Sequence, residues 1–447
     1  MIVQEFGRFI ADTRYEDLPP EVVEKAKLRV LDLLTSALVG FRLGHFRPLL
    51  AILGGRKEAT VWGEGVKVPV RDAVMLNSFM GHSPYLEDGS RYTGGHPSSA
   101  VIPAALSFGE SRGAGGKSLL LSVCLGYEVF LRLGRAIYPS TVVRGFQSTA
   151  VLGALGSAAA CASLLGLRAE GCRDALAIAA NLGVGLKDAL KAPPSQPLQV
   201  GHSCQGGLLA ALLAARGIAG SETVMEEGFL KAFADKADRA SVLAGLGTEY
   251  RMGETYIKVH GGCRGNHAPT DVILALMKEH HISPQEIARI KVQVDTVTLA
   301  ADIRRPLDGM QALLSIPFSI AVAVLEGNAS VFQFTDEKVK NPAVRAVMDK
   351  IVLEVDKKLD EGYPDKRSAR GEITLTDGKS YSAFMDVARG EPESPLSTAE
   401  VVEKFFFYTR EILGKKAPQV CRLVKDLEKV EDVGAVVRKL KRKSDQG

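Results

Sequence analysis

The chain has 447 residues, 46% of them apolar and 24% charged, the balance of an ordinary globular protein with ample material for a large core. Its 56 basic and 52 acidic residues leave a formal net charge of +4, too even for a dedicated nucleic-acid binder. Six cysteines without a CxxC pair, and a start (Met1-Ile2-Val3-Gln4-Glu5-Phe6) lacking the basic-then-apolar order of a signal peptide, point to a reduced, cytoplasmic protein.

At roughly 150 residues per folding unit, two or three units are expected. After Pro19-Pro20, Val23, Ala26, Leu28, Leu31, Leu34 and Leu38 recur at helical spacing, with Gly40 as the stop signal. A short extended stretch at 59–63 follows, then helical segments over about 73–79, 100–111, 117–136, 151–165, 168–182 and 206–216. Residues 145–167 form 23 positions without a charge, long enough to cross a bilayer. Gly145, Gly153, Gly156 and Gly166, with alanines and serines where leucines would be, suit a crowded soluble core instead. No membrane span is therefore expected.

The texture changes after about residue 267. Ile290, Val292 and Val294 alternate with polar neighbours, as in a half-buried strand. Two further apolar runs, 373–376 and 381–384, flank Asp377-Gly378, a strong hairpin signal. Helices are expected near 270–279, 316–325 and 342–351. Pro392 and Pro395 precede a return to helix at 398–413, and the basic run from Arg438 to Lys443 reads as a solvated helix end. The fold class expected is predominantly α: a large all-helical domain, 1–267 completed by 393–447, and a smaller α+β lid domain at 268–392.

Familiar catalytic motifs fail. Gly115-Gly116-Lys117-Ser118 resembles the end of a P-loop, but the earlier glycine it needs is Ser111. G-x-G-x-x-G after a strand, G-x-S-x-G and HExxH are all missing, so nucleotide and metal chemistry are disfavoured. Polar residues concentrate instead in three stretches set in apolar surroundings: 77–99, with His82, Tyr85, Glu87, Asp88, Arg91 and His96; 196–207, read as a loop feeding a helix; and 256–269, at the inferred domain junction.

Ordered pieces along almost the whole chain carry a resemblance. They are Asn77 with His82, Gly95-His96-Pro97-Ser98, Gly126-Tyr127-Glu128, Gly145-Phe146, Gln196-Pro197-Leu198, Tyr256-Ile257-Lys258 with Cys263-Arg264 and His267-Ala268-Pro269, and Ser315-Ile316-Pro317-Phe318. In these the sequence resembles the MmgE/PrpD family, which includes 2-methylcitrate dehydratases, cis-aconitate decarboxylases and an iminodisuccinate epimerase. The resemblance implies a cofactor-free homodimer with its active site between a helical domain and a lid. It also implies no metal and a small anionic di- or tricarboxylate as substrate. Four positions depart from the usual family residues: Tyr85 stands for an aspartate, Gln147 for a histidine, Gln205 for a lysine of some members and Phe318 for a tyrosine.

Removing a proton beside a carboxylate needs a base within hydrogen-bond reach, and expelling hydroxide needs an acid. His96, Lys258, His267 and Asp88 are the candidates for proton transfer. Arg91 and Arg264 are candidates for clamping carboxylates, with Tyr85, Gln147, His202 and Gln205 as further substrate contacts. The expected activity is dehydration of a hydroxy-polycarboxylate like 2-methylcitrate. The alternatives are epimerisation or decarboxylation of a related acid, or a catalytically silent binding protein.

Overall fold

A computed structural model describes residues 1–191, 195–237 and 239–443. The chain divides into two compact units, one formed by Met1–Thr255 together with the chain from Ser397 onward, the other by Tyr256–Leu396.

The first unit is helical. Its long helices are Pro20–Leu43, Val70–His82, Pro97–Arg112, Gly116–Ile137, Ser148–Leu165, Gln196–Ala214 and, from the C-terminal part, Thr398–Leu413. The only strands described here are the short antiparallel pair Ala59–Thr60 and Lys67–Val68. Ser148–Leu165 is the heart of the expected uncharged stretch; it is 83% buried and packs against Pro97–Arg112, Gly116–Ile137 and Gln196–Ala214. Small residues are what permit this: a Cβ added at Gly207 would sit 2.4 Å from the Ala154 carbonyl oxygen, and one at Gly126 2.7 Å from that of Gly156. Backbones this close exclude any larger side chain.

Gly40 does not end its helix as expected. The helix runs on to Leu43 and stops at Gly44 in the left-handed conformation (φ 77°), an ordinary glycine C-cap. Gly40 is instead a contact point, where an added Cβ would fall 2.0 Å from the Met80 carbonyl oxygen. The basic run at 438–443 begins as the expected helix end, with exposed Arg438 at the C-cap of Gly434–Val437, but continues beyond it. Leu440 is fully buried, and Gly63 exchanges backbone hydrogen bonds with Leu440 and Arg442 (3.2 and 2.9 Å), so residues 440–442 anchor the chain while Lys441 and Arg442 stay exposed.

The second unit carries a four-stranded sheet in the order Ile351–Val355, Ile287–Val294, Ala369–Leu375, Ser380–Met385. The first pair is parallel and the other two antiparallel. Ile290, Val292 and Val294 are fully buried, as their alternation requires, and the hairpin turns at Gly378 with φ 87°. The helix His267–Glu279 lies against the sheet, with Gly371 opposite Val272, and Ile316–Glu326 packs on that helix in turn.

The division falls at Thr255 rather than near 267. Residues 256–267 are tied into the second unit by backbone hydrogen bonds, from Ile257 N to Gly390 O (3.0 Å), Gly261 N to Ala329 O (2.8 Å) and Cys263 N to Leu313 O (2.8 Å). The six cysteines form no disulfide.

Candidate active site

In the larger unit the chain leaves the helix Val70–His82 and re-enters helix at Pro97, so His82 closes one helix and His96 caps the next. Pro84 cannot continue the first helix, and Tyr85 takes a left-handed conformation (φ 55°) that turns the chain back. This brings Glu87 against His82, with Oε1 2.6 Å from Nδ1. The same oxygen lies 3.6 Å from Nδ1 of His96. The two imidazole centroids are 5.4 Å apart, and Tyr85 stacks on His82 at 5.9 Å.

His96 Nδ1 also lies 2.6 Å from the backbone oxygen of Asp88. A carbonyl only accepts, so this nitrogen carries a hydrogen, and in the neutral ring Nε2 is the nitrogen with the lone pair. The His96 side chain is 17% exposed, against 1% for His82 and 0% for Glu87, which makes it the reachable imidazole of the pair.

Two amides face the far nitrogen of His82. Gln147 caps the helix Ser148–Leu165, its Oε1 accepting from Ala150 N (2.5 Å), and this turns its Nε2 toward His82 Nε2 at 3.4 Å. Gln196, first residue of its helix, brings Nε2 to 2.8 Å from the same atom.

Beneath lies a buried ionic layer. Asp88 is fully enclosed: Oδ1 accepts from Ser98 N at the start of the Pro97–Arg112 helix (3.1 Å), Oδ2 accepts from Tyr127 OH (2.9 Å), and Arg29 lies 3.7 Å away. Burial pushes its carboxyl up to about 6, with Arg29 pulling the other way. A carboxyl raised on folding favours the folded state below its unfolded value near 4, and that contribution is lost as pH rises through 6. Comparing wild type with Asp88→Asn by denaturant unfolding should therefore reveal a wild-type advantage that shrinks by on the order of 2–3 kcal/mol between pH 4 and pH 7. A difference that is flat with pH would contradict this.

Both carboxyl oxygens of Asp88, a candidate for proton transfer from the sequence, are thus engaged within this layer, and its backbone oxygen meets His96 Nδ1. His202 and Gln205 do not join the cluster. Residues 196–205 are helical rather than a loop, which sets them about 240° and 180° around the helix from Gln196. His202 is exposed, and Gln205 donates to Arg71 O and Asp72 (both 3.3 Å). Arg91 is buried, its guanidinium 5.1 Å over the Tyr92 ring.

The smaller unit gathers its own polar group. Lys258, His260 and His267 are all buried. His260 Nε2 is 2.8 Å from Asp271 Oδ1, and the His260 and His267 rings are 5.4 Å apart. Arg264 spends one edge on buried Glu391 (Nε to Oε1 2.5 Å) and lies 5.4 Å over Tyr256. Phe318 is fully buried against Phe334.

His82, Glu87 and Gln196 stand in the polar stretches and motifs of the sequence without an assigned role, and His260, Asp271 and Glu391 were not singled out. His82 and Glu87 were within reach, since a histidine and an acid five apart across a proline turn can meet. Gln196 was not, because 114 residues separate it from His82.

Comparison with known proteins agrees along the length of the chain. Residues 4–241 match the MmgE/PrpD N-terminal domain and residues 260–428 the MmgE/PrpD C-terminal domain. A cis-aconitate decarboxylase of Aspergillus terreus is 25% identical, covering 98% of this chain and 96% of its own. The cis-aconitate decarboxylases of Homo sapiens and Mus musculus are 27% and 26% identical, each over 98% of this chain and 94% and 93% of their own.

Proposed function

This chain belongs to the MmgE/PrpD family, and from that premise we propose that it is a lyase that removes carbon dioxide from a small unsaturated tricarboxylate of the cis-aconitate kind. The observation that carries this reading is the likeness to cis-aconitate decarboxylases over 98% of the chain. It ranks above dehydration, the activity first expected from the sequence.

The chemistry of the His96 cluster supports the same choice. In a β,γ-unsaturated carboxylate the bond to the departing carboxylate breaks, and its electron pair becomes an allylic carbanion conjugated with a remaining carboxylate. A proton is then added at the far end of the allyl system. One carbon dioxide leaves and one proton enters, so a single proton donor is enough. Dehydration needs a base and an acid together. Within the larger unit His96 is a partly exposed acid–base group whose Nδ1 is held by the Asp88 backbone oxygen, so Nε2 is the nitrogen proposed to carry that proton.

The test is incubation of the purified protein with cis-aconitate, 2-methylcitrate, citrate and iminodisuccinate in D2O, following carbon dioxide and product by NMR. The expected result is one carbon dioxide and one incorporated deuteron per alkene dicarboxylate formed from cis-aconitate. Alkene formed from 2-methylcitrate without carbon dioxide would replace the proposal with dehydration. A change of chirality without alkene would replace it with epimerisation. Ligand-raised melting temperature with no turnover would leave a binding protein.

A further inference from the structure

We propose that His82 is a positioning residue, held as the neutral Nδ1–H tautomer by the side-chain amides of Gln147 and Gln196 so that its one N–H fixes Glu87 beside His96. The activity part of this inference rests on the proposed reaction; the tautomer does not.

Donors and acceptors decide the tautomer. A carboxylate accepts only, so the 2.6 Å contact with Glu87 requires a hydrogen on His82 Nδ1. What happens at Nε2 is decided by the amides. The orientation of Gln147 is set by its own helix: Oε1 is used to cap Ala150 N, so the group turned to His82 is the NH2. An NH2 donates and cannot accept. A hydrogen on His82 Nε2 would point at that donor, whereas a bare Nε2 accepts from it. Gln196 lies 2.8 Å from the same nitrogen, and its NH2 is the amide group that matches a bare Nε2, with Oε1 unbonded and leaving the orientation to this contact. His82 is 1% exposed and Gln196 2%, so the contact between them is buried and a mismatched donor pair there has no water to relieve it, while Gln147 approaches from the part-exposed side.

The consequence reaches His96 through Glu87. One carboxylate oxygen serves both imidazoles, bonded to His82 Nδ1 and 3.6 Å from His96 Nδ1. A neutral His82 adds no positive charge of its own beside Glu87. The Glu87 carboxylate then stands behind the His96 imidazole, whose Nδ1–H is already aimed at Asp88 O, and favours the protonated form that delivers a proton from Nε2. A cationic His82 would offset that carboxylate's charge. The two glutamines are thus proposed to select a donor-ready His96 without either touching it.

The proposal is tested first without substrate, by 15N NMR of the ring nitrogens in histidine-labelled protein, with His82 assigned by loss of its signals in His82→Asn. The expected result at neutral pH is a protonated Nδ1 and a bare Nε2. Finding the hydrogen on Nε2, or on both nitrogens, overturns the proposal. The double variant Gln147→Glu/Gln196→Glu turns both donors into acceptors and should move a proton onto Nε2, making His82 cationic; an unchanged tautomer there also overturns the proposal.

The second arm uses His82→Asn, whose amide N–H can replace the Nδ1–H toward Glu87, and His82→Leu, which cannot donate. His96 ring resonances should hold in the asparagine variant and shift in the leucine variant. If the proposed reaction is observed, kcat should fall at least tenfold in His82→Leu with KM nearly unchanged, and return to within a few-fold of wild type in His82→Asn. Equal losses in the two variants would mean a merely structural residue. Should no polycarboxylate turn over, the reaction fails while the tautomer and the His96 resonances still decide the role of His82.

Discussion

Replacing His96 by glutamine is expected to lower turnover at least about a hundredfold while leaving KM within a few-fold of wild type. Glutamine is the informative choice, because it keeps a hydrogen-bonding amide of similar reach beside the loop whose Asp88 backbone oxygen meets His96 Nδ1 at 2.6 Å, without a group that titrates. The cap of the Pro97–Arg112 helix and the loop before it then keep their shape, and what is lost is the titratable Nε2. In the proposed reaction that nitrogen supplies the proton to the allylic carbanion, so the loss falls on the chemical step and not on binding. The measurement is steady-state kinetics on the accepted polycarboxylate, with the melting temperature confirming that the variant is folded. Unchanged kcat in a folded His96→Gln removes His96 from proton transfer. A fall confined to KM would make it a substrate-binding residue only.

The order of helices, the strand at 287–294 and the Asp377-Gly378 hairpin were legible because each rests on a local rule, periodicity or turn chemistry. The reading failed where glycine had a tertiary task. Gly40 and the glycines of 201–207 look like helix breakers by propensity, yet they sit in helices because neighbouring backbones leave no room for a Cβ. At Gly201 the Met75 carbonyl oxygen would be 2.6 Å from one. The same cause hid Gln196, since a stretch read as a loop could not be assigned a face. The candidate site was half legible for a related reason. His96 announces itself by its polar segment, whereas the Glu87–His82–Gln196 chain exists only once two helix ends far apart in sequence are packed together.

Lys404→Met is expected to destabilise the larger unit by about 3–5 kcal/mol, because it strands a buried carboxylate. Lys404, on the C-terminal helix Thr398–Leu413, meets Asp32 Oδ1 of Pro20–Leu43 at 2.5 Å, and the two side chains are 7% and 0% exposed. Its ammonium also donates to Leu86 O (3.0 Å), the residue before Glu87, so the C-terminal helix props the loop that carries the candidate site. Burial already pushes the Asp32 carboxyl upward, opposed by Lys404 and then Arg29. Without Lys404 the carboxyl should rise further and take up a proton more readily. A carboxyl raised on folding stabilises at low pH and loses that contribution as pH rises through its folded value. The cost of Lys404→Met should accordingly be smaller at pH 5 than at pH 8, as read from denaturant unfolding at each pH. The double variant Asp32→Asn/Lys404→Met removes the stranded charge and should recover much of the loss at pH 8. The Leu86 contact stays broken in both variants, so hydrogen exchange of the 84–90 amides should remain faster than in wild type even where stability returns. Recovery of stability together with wild-type exchange would separate the ion pair from the loop and leave the C-terminal helix without a part in shaping the site.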